Sequence, residues 1–203
     1  MLPDANPFAV YAGTTIMDRI DIETRDGTCP SYVFRPLVGA AWPAVLVFMD
    51  GLGIRPAMLA IAERLATYGY FVLLPDLFYR SGPYQPMNPT VMLGDAEKRR
   101  ILTEEFFALA TQANIMSDTH AFLDYLATQP DVRPGGIGTT GYCRGGFMSL
   151  TAAGTFPDHI VATASYHGGA SCDRNAGQSA SSRTEDPVSP LRCGRHRGRF
   201  VSG

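Results

Sequence analysis

A chain of 203 residues, 45% of them hydrophobic and with a formal net charge of −2, is long enough for one domain with a substantial core. This charge gives no bulk attraction to nucleic acid or acidic membranes, and no apolar run approaches the roughly 20 residues that span a bilayer. The first residues lack the pattern of a secretory signal, so we expect a cytoplasmic protein without a nucleic-acid or membrane partner.

The first half of the chain alternates short strands with a helix. Two β-branched stretches on either side of an Asp-Gly turn predict an antiparallel hairpin over 16–34. The unbroken apolar segments 43–49 and 70–74 predict strands that are covered on both faces. Between them, apolar residues at helical spacing predict a helix over 56–68.

The second half repeats this alternation. A helical region is predicted over about 95–128, broken near Thr111, and a third buried strand over 136–140. A helix over 144–155 and a fourth buried strand over 160–165 follow. Strands that alternate with helices of ten or more residues predict an α/β fold in three layers, with a mostly parallel central sheet between helices.

The last 33 residues differ in composition from the rest. Residues 171–203 hold six arginines and three acidic residues (net +3), whereas residues 1–170 carry 11 basic and 16 acidic residues (net −5). No hydrophobic period continues through this Arg/Ser-rich tail, which is typical of disorder. We therefore expect a folded core over 1–170 and an irregular tail. A basic interaction tail and a reading-frame change or truncation both explain it, and we favour the second.

The four cysteines are widely separated, at Cys29, Cys143, Cys172 and Cys193. They form neither a C-x-x-C pair nor a Cys/His cluster with metal-ligand spacing, so we expect no structural metal and no disulfide framework.

One cysteine stands in a distinctive setting, Gly141-Tyr142-Cys143-Arg144-Gly145, between a predicted strand and a predicted helix. A G-x-C-x-G sequence at such a junction forces the central residue into a tight turn that raises its nucleophilic atom above the sheet edge. The next helix then begins beside that atom, where its free N–H groups can bind an oxyanion. The simpler alternative is a small buried thiol, since free cysteine is among the most buried residue types.

Three motifs in order resemble the dienelactone hydrolase family of α/β-hydrolases. They are Phe48-Met49-Asp50-Gly51-Leu52-Gly53, Pro75-Asp76-Leu77-Phe78-Tyr79-Arg80 and Gly141-Tyr142-Cys143-Arg144-Gly145-Gly146. The resemblance runs from about residue 16 to 169. It implies an α/β-hydrolase-type sandwich and an enzyme without a cofactor that cleaves small-molecule lactones or esters.

The resemblance also implies roles for five residues. Cys143 would be the nucleophile, and the backbone N–H groups of Gly51 and Arg144 would form the oxyanion hole. Asp50 stands where the family usually has a glutamate that helps to control the protonation of the cysteine. Arg80 matches an arginine that binds the substrate carboxylate, although an arginine in a solvated loop explains it equally well.

The family's catalytic aspartate and histidine, which follow later in the chain, have no recognisable counterpart, so the fold is expected to be C-terminally incomplete. His120 is expected on a helix surface, His159 in a turn and His167 at the rim of the pocket. His196, with Asp173 or Asp186 as its orienting acid, would have to reach the site from the tail. Losing the histidine should cost most of the activity.

Two rivals to the hydrolase hypothesis remain. The first is a non-catalytic remnant that binds a small acid in a pocket around Cys143 and Arg80. The second, a thiol redox protein, is weaker because no second cysteine is near in sequence. A sheet that ends near Ser165 would expose an edge, so we also expect self-association. Asp76, which follows a proline at the end of a strand, is expected to cap the turn.

Overall fold

A computed structural model describes residues 14–39 and 41–168. The predicted tail 171–203, with Cys172, Cys193 and His196, lies outside the described residues, so the boundary at residue 170 stays a prediction.

Six strands form one sheet in the order β1-β2-β4-β3-β5-β6. β2 runs antiparallel to both of its neighbours, whereas β4, β3, β5 and β6 are mutually parallel. The predicted hairpin and mostly parallel sheet are therefore confirmed. The strands are Thr15–Thr24 (β1), Gly27–Pro36 (β2), Ala44–Phe48 (β3), Phe71–Pro75 (β4), Ile137–Tyr142 (β5) and Ile160–Tyr166 (β6).

The helices lie close to their predicted positions, except in the middle of the chain. There the expected helical region is divided into two α-helices with a π-helix between them. Thr111 caps the second of these α-helices, since its hydroxyl accepts a hydrogen bond from the Asn114 N–H at 3.2 Å. The helices are Pro56–Thr67 (α1), Pro89–Gly94 (α2), Ala96–Ile101 (α3), the π-helix Leu102–Phe107, Gln112–Thr128 (α4) and Arg144–Thr155 (α5), with a short 3₁₀ turn at Tyr79–Ser81.

Helices cover both faces of the sheet, which confirms the three layers. On one face, the hydroxyls of Thr139 in β5 and Thr163 in β6 both hydrogen-bond with Ser149 of α5, at 3.0 and 2.7 Å. Because the side chains of a β-strand alternate between faces, Thr140 and Tyr142 of β5 point to the face opposite Thr139. They line a cavity together with Leu65 of α1. None of the helices that the structure describes is long and apolar enough to cross a membrane.

The core lies along the two central strands. Every residue of β3 and β4 is buried, as expected from their unbroken apolar sequences. Phe48, at the end of β3, and Phe122 of α4 are completely inaccessible to solvent. The carboxyl ends of β3 and β5 lie side by side, because Phe48 pairs with Gly141, and this pairing places the loops after these strands together.

The fourth strand that was predicted to be buried, β6, is not buried. Its pattern of exposure is that of an edge strand, with Val161 71% and Tyr166 50% exposed. The ring of Tyr166 stacks on that of Tyr142 at a centroid distance of 4.8 Å. The predicted burial of this strand was wrong because burial depends on what packs beyond a strand. The exposed edge expected near Ser165 is observed, since no described strand pairs with the outer edge of β6.

Candidate active site

Cys143 occupies a sharp turn between β5 and α5. Its backbone has φ 52° and ψ −120°, outside the regions that residues with a Cβ normally adopt, and its side chain is exposed. The turn is held by a hydrogen bond from the Cys143 N–H to the Tyr166 carbonyl at 3.0 Å, and the Gly146 N–H donates to the Cys143 carbonyl at 3.0 Å. The chain thus lifts one reactive side chain out of the sheet.

Glycine is required on both sides of this turn. A Cβ on Gly141 would lie 2.2 Å from the Gly145 carbonyl oxygen, and one on Gly145 would lie 2.2 Å from the Phe48 carbonyl oxygen. Both neighbouring atoms belong to the backbone and cannot rotate away. The two glycines therefore allow α5 to start directly against the ends of β3 and β5.

A cavity of about 430 Å³ lies in front of Cys143. The loop after β3 supplies one wall through Asp50, Gly51 and Leu52, and His167 at the end of β6 lies on the same cavity. The structure therefore brings together Cys143 and two of the residues predicted to act with it, Asp50 and Gly51.

The other wall comes from α3 and the π-helix. Leu102 and Phe107 make it apolar, and Thr103 and Arg99 contribute its polar groups. π-Helical turns are rare and occur frequently at functional sites. Arg99 is thus the cation of this cavity, at a position that the sequence motifs did not indicate.

Asp50 is fixed by a neighbour that sequence reasoning missed. Arg55 donates to both of its carboxylate oxygens at 2.6 Å, and the Leu52 N–H donates to Asp50 Oδ1 at 2.9 Å. Both charged side chains are largely buried, 14% and 15% exposed. This bidentate pair holds the Asp50 carboxylate in place and neutralises its charge.

The two residues predicted to form the oxyanion hole lie in the loop after β3 and at the start of α5. Gly51 lines the cavity, and a Cβ there would lie 3.0 Å from the Phe107 ring. Arg144 is the first residue of α5, where backbone N–H groups have no partner within the helix. Its guanidinium lies 4.5 Å from the Phe107 ring centroid and donates to the Ala110 carbonyl, which ties the elbow to the π-helix.

Arg80 does not line the Cys143 cavity. Its guanidinium donates to both oxygens of Asp118 at 2.7 Å and to Asp26 at 2.7 Å. Asp118 is completely buried, and the Tyr79 hydroxyl donates to it as well, at 3.1 Å. This arrangement does not support the predicted role of Arg80 in substrate binding, because two carboxylates already occupy its donors.

The other described cysteine shows the opposite environment. Cys29 is completely buried, and burial raises the pKa of its thiol to about 12. It is therefore protonated at neutral pH and inert. Among residues 14–39 and 41–168, no group of three or more His, Cys, Asp or Glu side chains is arranged to hold a metal ion.

Asp76 serves the turn after β4, as predicted. Its Oδ1 accepts hydrogen bonds from the Phe78 N–H at 3.0 Å and the Tyr84 hydroxyl at 2.8 Å. Burial raises the pKa of this carboxyl above its usual value.

Comparison with known proteins relates the whole arrangement to one family. A model described as the dienelactone hydrolase family matches residues 30–190. A protein of Synechocystis named "Putative carboxymethylenebutenolidase" is 29% identical over 161 residues, which are 73% of this chain and 60% of that protein. A carboxymethylenebutenolidase of Pseudomonas sp. strain P51 is 31% identical over 111 residues, 55% of this chain and 44% of that protein.

The fold is also that of a solved relative. The crystal structure titled "Putative Dienelactone Hydrolase" from Klebsiella pneumoniae superposes with a TM-score of 0.63 at 21% identity, covering 75% of this chain and 60% of that one. This similarity confirms the α/β-hydrolase-type sandwich. The chain spans 60% or less of the length of each of these three proteins.

Proposed function

Because the chain belongs to the dienelactone hydrolase family, we propose that it hydrolyses a carboxylic ester or lactone through Cys143 as nucleophile. The observation that carries this proposal is the elbow. An exposed thiol in a backbone conformation rarely adopted by residues with a Cβ faces a cavity at the start of a helix. Such local strain persists where the surrounding structure enforces it, and it clusters at active sites.

The proposed reaction proceeds in two steps. The sulfur of Cys143 attacks the substrate carbonyl carbon as its proton leaves, and the carbonyl oxygen becomes an oxyanion that the Gly51 and Arg144 N–H groups stabilise. The carbon–oxygen bond to the alcohol then breaks and leaves a thioester. Water hydrolyses the thioester, releases the acid and restores the thiol.

Asp50 and Arg99 receive separate roles in this proposal. Asp50 fixes the loop that carries the Gly51 N–H, since its carboxylate is held by Arg55 and the Leu52 amide. Arg99 lies on the cavity and supplies a positive charge beside an apolar wall. This combination favours a small apolar substrate that bears a carboxylate.

The test of this proposal compares two cysteine variants of the full chain. Hydrolysis of p-nitrophenyl acetate should fall at least about 10³-fold in Cys143→Ala, because the nucleophile is lost. Cys29→Ala, which removes the buried thiol, should keep the wild-type rate per folded molecule. Equal rates in wild type and Cys143→Ala would contradict the proposal.

A binding module is the second candidate function, because the described residues contain no Asp-His pair in the family's usual arrangement. In that case Arg99 and the apolar wall would hold a small carboxylic acid without turnover. Calorimetry with phenylacetate, a small aromatic carboxylate, combined with the ester assay separates the two functions. A binding module would bind this acid with Cys143 intact or replaced by alanine and would hydrolyse no ester.

We further propose a cytoplasmic protein that self-associates through β6. Its sequence, IVATASY, has no charged residue, and charges are a common device that prevents edge strands from pairing. Light scattering should therefore detect dimers or larger species, whereas a monodisperse monomer at high concentration would contradict this.

A further inference from the structure

We propose that His167 is the general base that accepts the proton of the Cys143 thiol. The inference rests on the proposed function and deepens it. It assigns a proton acceptor within the described residues to a site whose usual histidine has no recognisable counterpart in the sequence.

Sheet register places the two residues side by side. β5 and β6 are parallel, and their last paired residues are Tyr142 and Tyr166. Cys143 and His167 are therefore the residues that directly follow two adjacent strands. Neighbouring strands of a sheet are about 4.8 Å apart. The hydrogen bond from the Cys143 N–H to the Tyr166 carbonyl continues the ladder to this point. Both residues line the same cavity.

The backbone at His167 is also unusual. It has φ 37°, and among the described residues it shares a positive φ with only one other non-glycine residue, Cys143. The following residue packs against α5, since a Cβ on Gly168 would lie 2.7 Å from the Phe147 backbone nitrogen. Two unusual backbone positions thus meet at one cavity, each presenting a side chain that takes part in proton or acyl transfer.

The other described histidines lie elsewhere. His120 is on α4, with its ring edge-on to Phe156 at 5.4 Å. His159 precedes β6, at the opposite end of the strand from His167. The charged groups that line the cavity with His167 are Asp50 and Arg99. Asp50 is already bound by Arg55, so His167 is the better placed acceptor.

The proton balance assigns His167 a role in both steps. Its neutral imidazole takes the Sγ proton as Cys143 attacks the carbonyl carbon, and the imidazolium returns that proton to the departing alkoxide. In the second step the imidazole takes a proton from the attacking water. That proton returns to the sulfur when the thioester bond breaks. The net reaction therefore converts the ester and one water into the acid and the alcohol, and the enzyme is unchanged.

Asparagine at position 167 tests the proposal, because it tolerates positive φ and cannot act as a base at neutral pH. His167→Asn should lower ester hydrolysis about 10²- to 10⁴-fold, the usual contribution of a general base. Alkylation of Cys143 by iodoacetamide at neutral pH should also be slower in this variant than in the wild type, because the base that takes the thiol proton is gone. His159→Asn is the matched control and should behave as wild type.

Glycine at the same position gives a second readout that does not depend on the asparagine variant folding. His167→Gly also tolerates positive φ. Once the rate of hydrolysis by imidazole in buffer alone is subtracted, added imidazole should restore part of the activity of this variant and none to Cys143→Ala. Wild-type rates of hydrolysis and of Cys143 alkylation in His167→Asn, together with an inactive Cys143→Ala, would overturn this inference and leave the proposed function standing. An active Cys143→Ala would instead refute the proposed function.

Discussion

Two regions of this molecule place reactive side chains in opposite environments. Around Arg80, the fully buried Asp118 carboxylate accepts hydrogen bonds from the Arg80 guanidinium and from the Tyr79 hydroxyl. At the elbow, Cys143 is exposed on a cavity in a rare backbone conformation. In the first region each polar group has a hydrogen-bond partner, whereas in the second the Cys143 thiol is open to solvent. Mutual satisfaction indicates a structural role, whereas an exposed nucleophile on an enforced turn indicates chemistry.

The largest effect that tests this contrast is expected at Arg80. Arg80→Met removes the only cation paired with Asp118 among the described residues and leaves a completely buried carboxylate without a counter-ion. The free energy of unfolding should fall by about 3–5 kcal/mol, measured by urea denaturation. The KM for ester substrates should stay unchanged in the folded variant.

A different result for Arg80→Met would contradict its structural role. If Arg80→Met kept the wild-type free energy of unfolding but raised KM for acidic esters without changing KM for neutral ones, Arg80 would bind substrate as the family resemblance implies.

Two glycines of α5 provide the next test. Gly145→Ala should lower the free energy of unfolding by about 1–3 kcal/mol and impair hydrolysis, because the new Cβ meets the Phe48 backbone at 2.2 Å. Gly154→Ala is the matched control on the same helix. A Cβ there has no neighbour within 4 Å, so it should stabilise by about 0.5–1 kcal/mol, with unchanged activity. Equal melting temperatures for the two variants would contradict the enforced elbow.

The smallest expected effect on stability is at Asp76. Unlike the completely buried Asp118, this carboxylate is half-buried, and its hydrogen-bond donors are the neutral Tyr84 hydroxyl and Phe78 amide. Its raised pKa means that the folded state binds the proton more tightly than the unfolded state. Stability should therefore fall as pH rises from the unfolded value through the folded pKa.

Asp76→Asn should remove that slope, which urea denaturation at several pH values measures as the difference between variant and wild type. A parallel dependence on pH in both proteins would contradict the assignment.

Sequence predicted the parts of the structure that local pattern determines. The unbroken apolar runs located β3 and β4, since only a strand covered on both faces can be apolar throughout. Gly141 and Gly145 located the elbow because no other residue fits there. These features need no knowledge of distant residues.

Features that depend on distant contacts were missed. Arg80 matched a family motif, but its partner Asp118 lies 38 residues later on α4, and only the folded chain brings them together. The exposed edge at β6 was expected, but the strand itself was predicted to be buried from its apolar composition, and its burial depends on what covers it. His167 was placed at the rim of the pocket, and its proximity to Cys143 emerges only from the register of β5 and β6.

Trapping the acyl intermediate shows whether Cys143 is the nucleophile. The full chain is mixed with p-nitrophenyl acetate, quenched in acid within the first turnover, and mapped by peptide mass spectrometry. We expect an acetyl group on the peptide that carries Cys143 and none on the peptide that carries Cys29. Release of p-nitrophenol at the enzymatic rate with Cys143 unmodified, and an equal rate in Cys143→Ala, would contradict it.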